Sequence, residues 1–182
     1  MALTKGTVGP IVPYAVGDAV ASLWNIPLML GNAEAIQPGD IIIMSAGAAA
    51  TMDNSAPAVK VPVGVAMEKK TAAATATVDD VVVVALAVPG RPFLGNLTNA
   101  GTTDVTAYAV STHQGQDFGI VEADHGGFAV LDTNNATGPA LVLSLAREQM
   151  RGVPPSLTAS VILNPRVYFT FNDTLLLAKA LP

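Results

Sequence analysis

The sequence predicts an all-β protein: a compact β-barrel or β-sandwich-like domain with an extended N-terminal arm and at most one or two short helices. Three segments carry that expectation. They are Ile41-Ile42-Ile43-Met44 after Pro38-Gly39-Asp40, Val61-Pro62-Val63-Gly64-Val65-Ala66-Met67, and the run from Val81 to Val88 before Pro89-Gly90. Each is short, apolar and rich in β-branched residues, and each is bounded by Gly, Pro or Asp, which is how strands joined by tight turns are written.

Residues 1–33 read as the arm. Pro10, Pro13 and Pro27, with Gly6, Gly9, Gly17 and Gly31, interrupt any long regular element, although a short helix fits Asp18 to Trp24. The arm is too apolar for a solvated linker. Its expected contact residues are Ile11, Val12, Tyr14, Leu23, Trp24 and Leu28, because aromatic and aliphatic anchors dominate interface energetics. The other possibility is that the arm packs back on its own domain.

Residues 34–172 read as the β domain and 173–182 as a tail. After Ile41–Met44, the Ala-rich stretch from Ser45 to Lys60 reads as a loop and Val61 to Glu68 as the next strand. Thr75 to Val78 and Val81 to Val88 read as strands around a turn or bulge at Asp79-Asp80. The Val run is apolar at every position, as in a strand buried on both faces. Asp104 to Val110 alternates. Phe118 to Ala123 and Phe128 to Asp132 form a hairpin across Asp124-His125-Gly126-Gly127. Leu141 to Leu145, Val161 to Leu163 and Val167 to Phe171 are further strands, and Ala146 to Gly152 is the one helical segment of this region. No repeat of fixed period is visible.

Composition limits the function. Nine Lys+Arg against 14 Asp+Glu leave a net charge of −5, and only Lys69-Lys70 places two cations side by side, so no basic stripe is available for nucleic acid. With no Cys, disulfides and thiolate metal sites are excluded. Charged residues make up 13% of the chain and hydrophobic ones 51%, yet the longest aliphatic run is far short of the roughly 20 residues of a spanning helix. The expectation is burial of apolar surface against partners, not a membrane. The N-terminus has Gly and Pro where a signal peptide needs a continuous apolar stretch, which points to synthesis in the cytoplasm.

Catalytic patterns are weak. His113 and His125, with Glu122, Asp124 and Asp117, contain the residue types of a His/carboxylate metal site, but the spacing matches no helix-borne motif and Asp124-His125-Gly126-Gly127 reads better as a hairpin tip. Ser111 and His113 lack an orienting acid. Asp79 and Asp80, as successive strand residues, would face opposite sides and share no proton. No phosphate-cradling loop is present. Asn96-Leu97-Thr98, Asn135-Ala136-Thr137 and Asn172-Asp173-Thr174 match the glycosylation tripeptide with no secretion signal to support its use. The expectation is a non-enzymatic protein with no cofactor and no metal.

The succession Gln37-Pro38-Gly39-Asp40-Ile41-Ile42, Val61-Pro62-Val63-Gly64-Val65-Ala66 and Val81 to Val88 with Pro89-Gly90-Arg91-Pro92-Phe93 resembles the small β-barrel decoration (cement) proteins of tailed-bacteriophage heads. Phe118-Gly119-Ile120-Val121-Glu122, Gly127 to Asp132 and Asn164 to Phe171 extend the resemblance over roughly Ile36 to Phe171. It implies a virion structural protein on the capsid exterior, commonly a homotrimer, that ties neighbouring major capsid subunits together without covalent bonds. It transfers no catalytic residue. The competing expectation is a ligand- or glycan-binding β-sandwich of a fibre or surface layer, for which 5% aromatic content is low.

Overall fold

The computed structural model describes residues 4–5, 9–14, 25–52, 62–88, 90–99, 103–104, 108, 110–122, 129–134, 137–146 and 162–172. The protein is all-β. Among the described residues ten strands of three or more residues build it: β1 Asn25–Met29, β2 Ile41–Ser45, β3 Ala48–Thr51, β4 Gly64–Ala66, β5 Val81–Leu86, β6 Phe93–Asn99, β7 Asp117–Glu122, β8 Ala129–Asp132, β9 Ala140–Leu145 and β10 Arg166–Phe171. Pairs of two residues each add to them at Thr4–Lys5, Val12–Pro13, Ala35–Ile36, Lys70–Thr71, Thr103–Asp104 and Ile162–Leu163. One helix, α1 Val110–His113, is present among the described residues.

The ten strands form two five-stranded rings of one topology. In the first the order is β1-β5-β4-β2-β3, all antiparallel, closed by a parallel bridge from Leu30 to Ala49. In the second the order is β6-β10-β9-β7-β8, again antiparallel, closed by the parallel pair β8–β6 at Leu97↔Leu131. The register repeats over the central pairs, up to a register shift between Val142 and Ser144 in β9. Ile41↔Val65 and Ile42↔Gly64 correspond to Asp117↔Leu141 and Phe118↔Ala140. Gly64↔Leu86, Val65↔Ala85 and Ala66↔Val84 correspond to Ala140↔Phe171, Leu141↔Thr170 and Val142↔Phe169.

Turn hydrogen bonds repeat as well. Gly39 N–H donates to Ala66 O at 2.8 Å, and Gly115 N–H to Val142 O at 2.8 Å. Leu30 N–H donates to Asp80 O at 2.8 Å, and Leu97 N–H to Pro165 O at 3.0 Å. Gly39 and Gly115 both have positive φ, 92° and 74°, the region that favours glycine. The chain is therefore a tandem pair of barrels. No fixed period betrays it because loop lengths differ between the copies: β2 turns into β3 through Ala46-Gly47, whereas β7 and β8 are separated by residues 123–128.

Two apolar clusters follow from strand alternation. The first barrel encloses Leu30, Ile36, Ile42, Ala49, Val82 and Val84. Its outward residues Ile41, Ile43, Val65, Ala85 and Ala87 belong to the other cluster, with Phe118, Leu131, Val142, Val167 and Phe169 of the second barrel. Barrel thus packs on barrel. Gly95 lies where a Cβ would meet Leu131 Cδ1 at 2.7 Å, Phe169 Cε1 at 3.0 Å and Ile11 Cγ1 at 3.3 Å, so only glycine fits that spot without a shift. Arg91 braces the junction. Its guanidinium donates to Leu86 O at 3.2 Å and Asn25 Oδ1 at 3.4 Å and lies 5.5 Å from the Phe93 ring centre.

Several expectations need correction. The stretch from Ser45 to Lys60 is not all loop, because Ala48–Thr51 is a barrel strand. It follows a two-residue turn with positive φ at both Ala46 (49°) and Gly47 (86°), a type I′ hairpin that sequence reading expects from Asn-Gly, not Ala-Gly. Thr75 to Val78 is not a strand but part of a turn. The Val run is buried on both faces only in part: Val82 and Val84 point inward and Ala85 and Ala87 toward the second barrel, while Val81 and Val83 stay half-buried. Of the alternating segment Asp104–Val110, Asp104 ends a short strand and Val110 starts α1, while residues 105–107 and 109 lie outside the described residues. The expected helix over Asp18 to Trp24 lies outside the described residues, as does the one over Ala146 to Gly152 beyond Ala146, whose N–H bonds Arg166 O at 2.8 Å.

Candidate interaction surface

The expected contact residues of the arm meet different fates. Ile11 is 1% exposed and sits in the chain's own core. Val12 is half-buried and pairs with Leu94 of β6. Tyr14 donates its N–H to Pro92 O at 2.9 Å, and its ring meets Tyr168 edge-on at 4.6 Å. Leu28 lies in β1 and packs against the interior of the first barrel. Leu23 and Trp24 lie outside the described residues. Residues 9–14 and 25–29 are therefore built into the barrels, and a boundary at residue 33 cuts through the first of them. The physical reason is simple: β-branched and aromatic residues flanking prolines are as good for an edge strand as for a free arm.

The segment 9–14 is held closely. Gly9 N–H donates to Asn96 Oδ1 at 3.3 Å, and the fully buried Asn96 passes its Nδ2 to Asn164 O at 2.9 Å. Arg166 Nη2 donates to Pro10 O at 3.3 Å. On the other side Pro10 and Ile11 lie against Gly39, where a Cβ would come within 2.9 Å of both. The segment consequently runs as an added strand beside β6, with Ile11 turned into the core, and lies against a turn of the first barrel.

Only part of the candidate chemistry lies within the described residues. His113 ends α1, its ring stacked on Tyr108 at 5.5 Å with Nδ1 3.0 Å from Thr112 Oγ1; Ser111 is exposed on the same short helix. His125 lies outside the described residues. Among the described residues no three His, Asp or Glu side chains cluster to hold a metal ion. Asp80 closes a turn, its carboxylate taking the Thr77 N–H at 2.8 Å and the Thr77 hydroxyl at 3.2 Å. That backbone bond, before all other causes, holds its pKa below the usual carboxylate value.

An uncovered apolar face is present instead. Direct partners across a sheet point to one side. Met29 is opposite Val81 and Pro27 opposite Val83, and Met67 N–H donates to Val83 O at 2.9 Å, which places Met67 beside Val83. These five side chains make one outward stripe over β1, β5 and the end of β4. Met29 is 49% exposed and Met67 39%. Along the same face the stripe runs into Ala85 and Val65, which the second barrel covers. Sequence reading missed it because nothing in a run of Val residues distinguishes an outward position from an inward one.

No protein-family model, curated protein or solved structure matches the chain. Among the described residues no helix is long and apolar enough to cross a membrane.

Proposed function

We propose that this chain is a capsid decoration protein. It sits on the outer surface of a bacteriophage head as a homotrimer and ties neighbouring major capsid subunits together. The observation that carries the reading is the apolar stripe Pro27, Met29, Val81, Val83 and Met67, held on a rigid barrel wall. A contiguous exposed apolar patch on a folded domain marks a protein-binding surface. The sequence resemblance of Ile36 to Phe171 supplies the kind of partner. Two barrels packed through a shared core resist deformation, as a clamp between subunits must. Many weak contacts repeated over a lattice then add up through multivalency.

The test is co-sedimentation of purified protein with heads that lack it. Saturable binding at a fixed ratio to the capsid subunit, with heads that better survive heating, is the expected result. No binding to any expanded head would remove the capsid from the account.

A further inference from the structure

Two sulfur atoms give the apolar stripe a chemical sensitivity that valine and proline lack. The chain has six Met and no Cys, so no thiol of its own competes for an oxidant. The four methionines among the described residues differ sharply in access. Met29 is 49% exposed, Met67 39% and Met44 38%, whereas Met52 is 3% exposed in the shared core. Met29 and Met67 belong to the stripe and flank β5, the first opposite Val81 and the second bonded through its N–H to Val83 O. Met44 lies in β2 opposite Ala49, outside the stripe.

From this we infer that Met29 and Met67 are oxidation sites, and that a sulfoxide at either one switches the stripe off as a binding face. The oxidant is a peroxide. With hydrogen peroxide the sulfur attacks one oxygen, the O–O bond breaks and an S–O bond forms. Sulfur gives up two electrons, and both hydrogens leave with the second oxygen as water. An apolar thioether thereby becomes a polar acceptor. The side chains of Pro27, Val81 and Val83 hold no hydrogen-bond donor, so a sulfoxide oxygen pressed under an apolar partner goes unsatisfied, which is costly. In the free protein the same oxygen is hydrated, because Met29 and Met67 are open to water. The change therefore falls on binding and spares the fold. A sulfoxide at Met52 would disrupt the core instead, and burial protects that residue.

The inference rests on the cement reading for its partner, but the chemistry is tested without one. The full chain is treated with graded hydrogen peroxide, and sulfoxide at each Met is located by peptide mass spectrometry. Met29 and Met67 are expected to convert while Met52 stays reduced and the amide spectrum keeps its dispersion. Oxidation of Met52 in step with them overturns the assignment. The treated chain should then leave a phenyl column earlier than the untreated one, and methionine sulfoxide reductase should restore its retention. A Met29→Leu/Met67→Leu chain should lose most of that shift on treatment, and a Met44→Leu chain should keep it. An unshifted wild type, or a shift that disappears with Met44, overturns the stripe as the place of the switch. In co-sedimentation the treated chain should bind heads about tenfold more weakly than the untreated one, or worse. Equal binding by both overturns the switch. Heads that bind neither form remove the cement reading, and the column result then decides the switch alone.

Discussion

Asp40 is a buried carboxylate in a turn that both barrels share in form. Its Oδ2 accepts the Gln37 N–H at 2.7 Å, and the residue is only 5% exposed. Burial pushes its pKa above the usual carboxylate value, against the smaller opposing pull of the Gln37 bond. A folded-state pKa above the unfolded one means that the protonated form suits the fold. The stabilisation is full below the unfolded value of 3.8 and is lost as pH rises through the raised folded value. Asp40→Asn keeps an acceptor for Gln37 and removes the charge. The urea midpoint of D40N should therefore gain on wild type between about pH 3.5 and pH 7, and a gap that stays constant or shrinks would sink this account. The corresponding position in the second barrel is Gln116, already neutral, whose carbonyl takes the Val142 N–H at 3.0 Å.

At the scale of the element, β1 shows how one residue disarms an edge. Leu30 N–H faces β5, and because strand residues alternate, the backbone of Pro27 faces away from it, toward the open side. Leu94 occupies that place in β6 and uses it to pair with Val12. Proline on an exposed edge blocks the addition of another strand. Pro27→Val restores the missing donor and should give larger, concentration-dependent assemblies than wild type in sedimentation velocity; an unchanged distribution would mean that the edge is protected by something else. β5 shows the opposite case. Val82 and Val84 turn into the first barrel and Ala85 toward the second, so one strand contributes to both clusters. Small Ala at the inter-barrel positions lets the two walls approach. Gly64 answers a different crowding, within the first barrel: a Cβ there would come within 2.2 Å of Ala85 O on the adjacent strand β5.

For the whole molecule, the pairing of like barrels is asymmetric. Ile41, Ala85 and Ala87, buried against the second barrel, correspond to Asp117, Thr170 and Asn172 in the copy. Asn172 Nδ2 donates to Asp117 Oδ1 on that face. A head-to-tail contact between like units would propagate without end if each unit kept the apolar face, and the polar substitutions stop it after two. The segment 9–14 ties the pair together, with Ile11 in the shared core and Pro10 against the Gly39 turn. Deleting residues 1–30 removes Ile11 and all of β1. That chain is expected to lack the native fold, and a dispersed amide spectrum from it would show that the N-terminal segments are accessory. A large core residue truncated to Ala already costs about 2–5 kcal/mol, a large part of a typical domain's stability.

The sequence by itself determined the fold class. β-branched runs cut by Gly, Pro and Asp can bury their apolar faces only as short strands, and Leu141–Leu145 and Val167–Phe171 lie within those expected. The candidate surface was legible only in outline: an excess of apolar residues predicts an interface, but composition carries no address. The tertiary structure decided that address. It drew Ile11 and Leu28 out of the expected arm into the barrels and left Met29 and Met67 outside. It also decided the duplication. Register between strands is set by pairing and by hairpin length, and two copies with different loops and few shared residues coincide only once their hydrogen bonds are laid side by side. Whether a given Val faces a core, a neighbouring barrel or solvent depends on which wall stands opposite, and that wall comes from elsewhere in the chain.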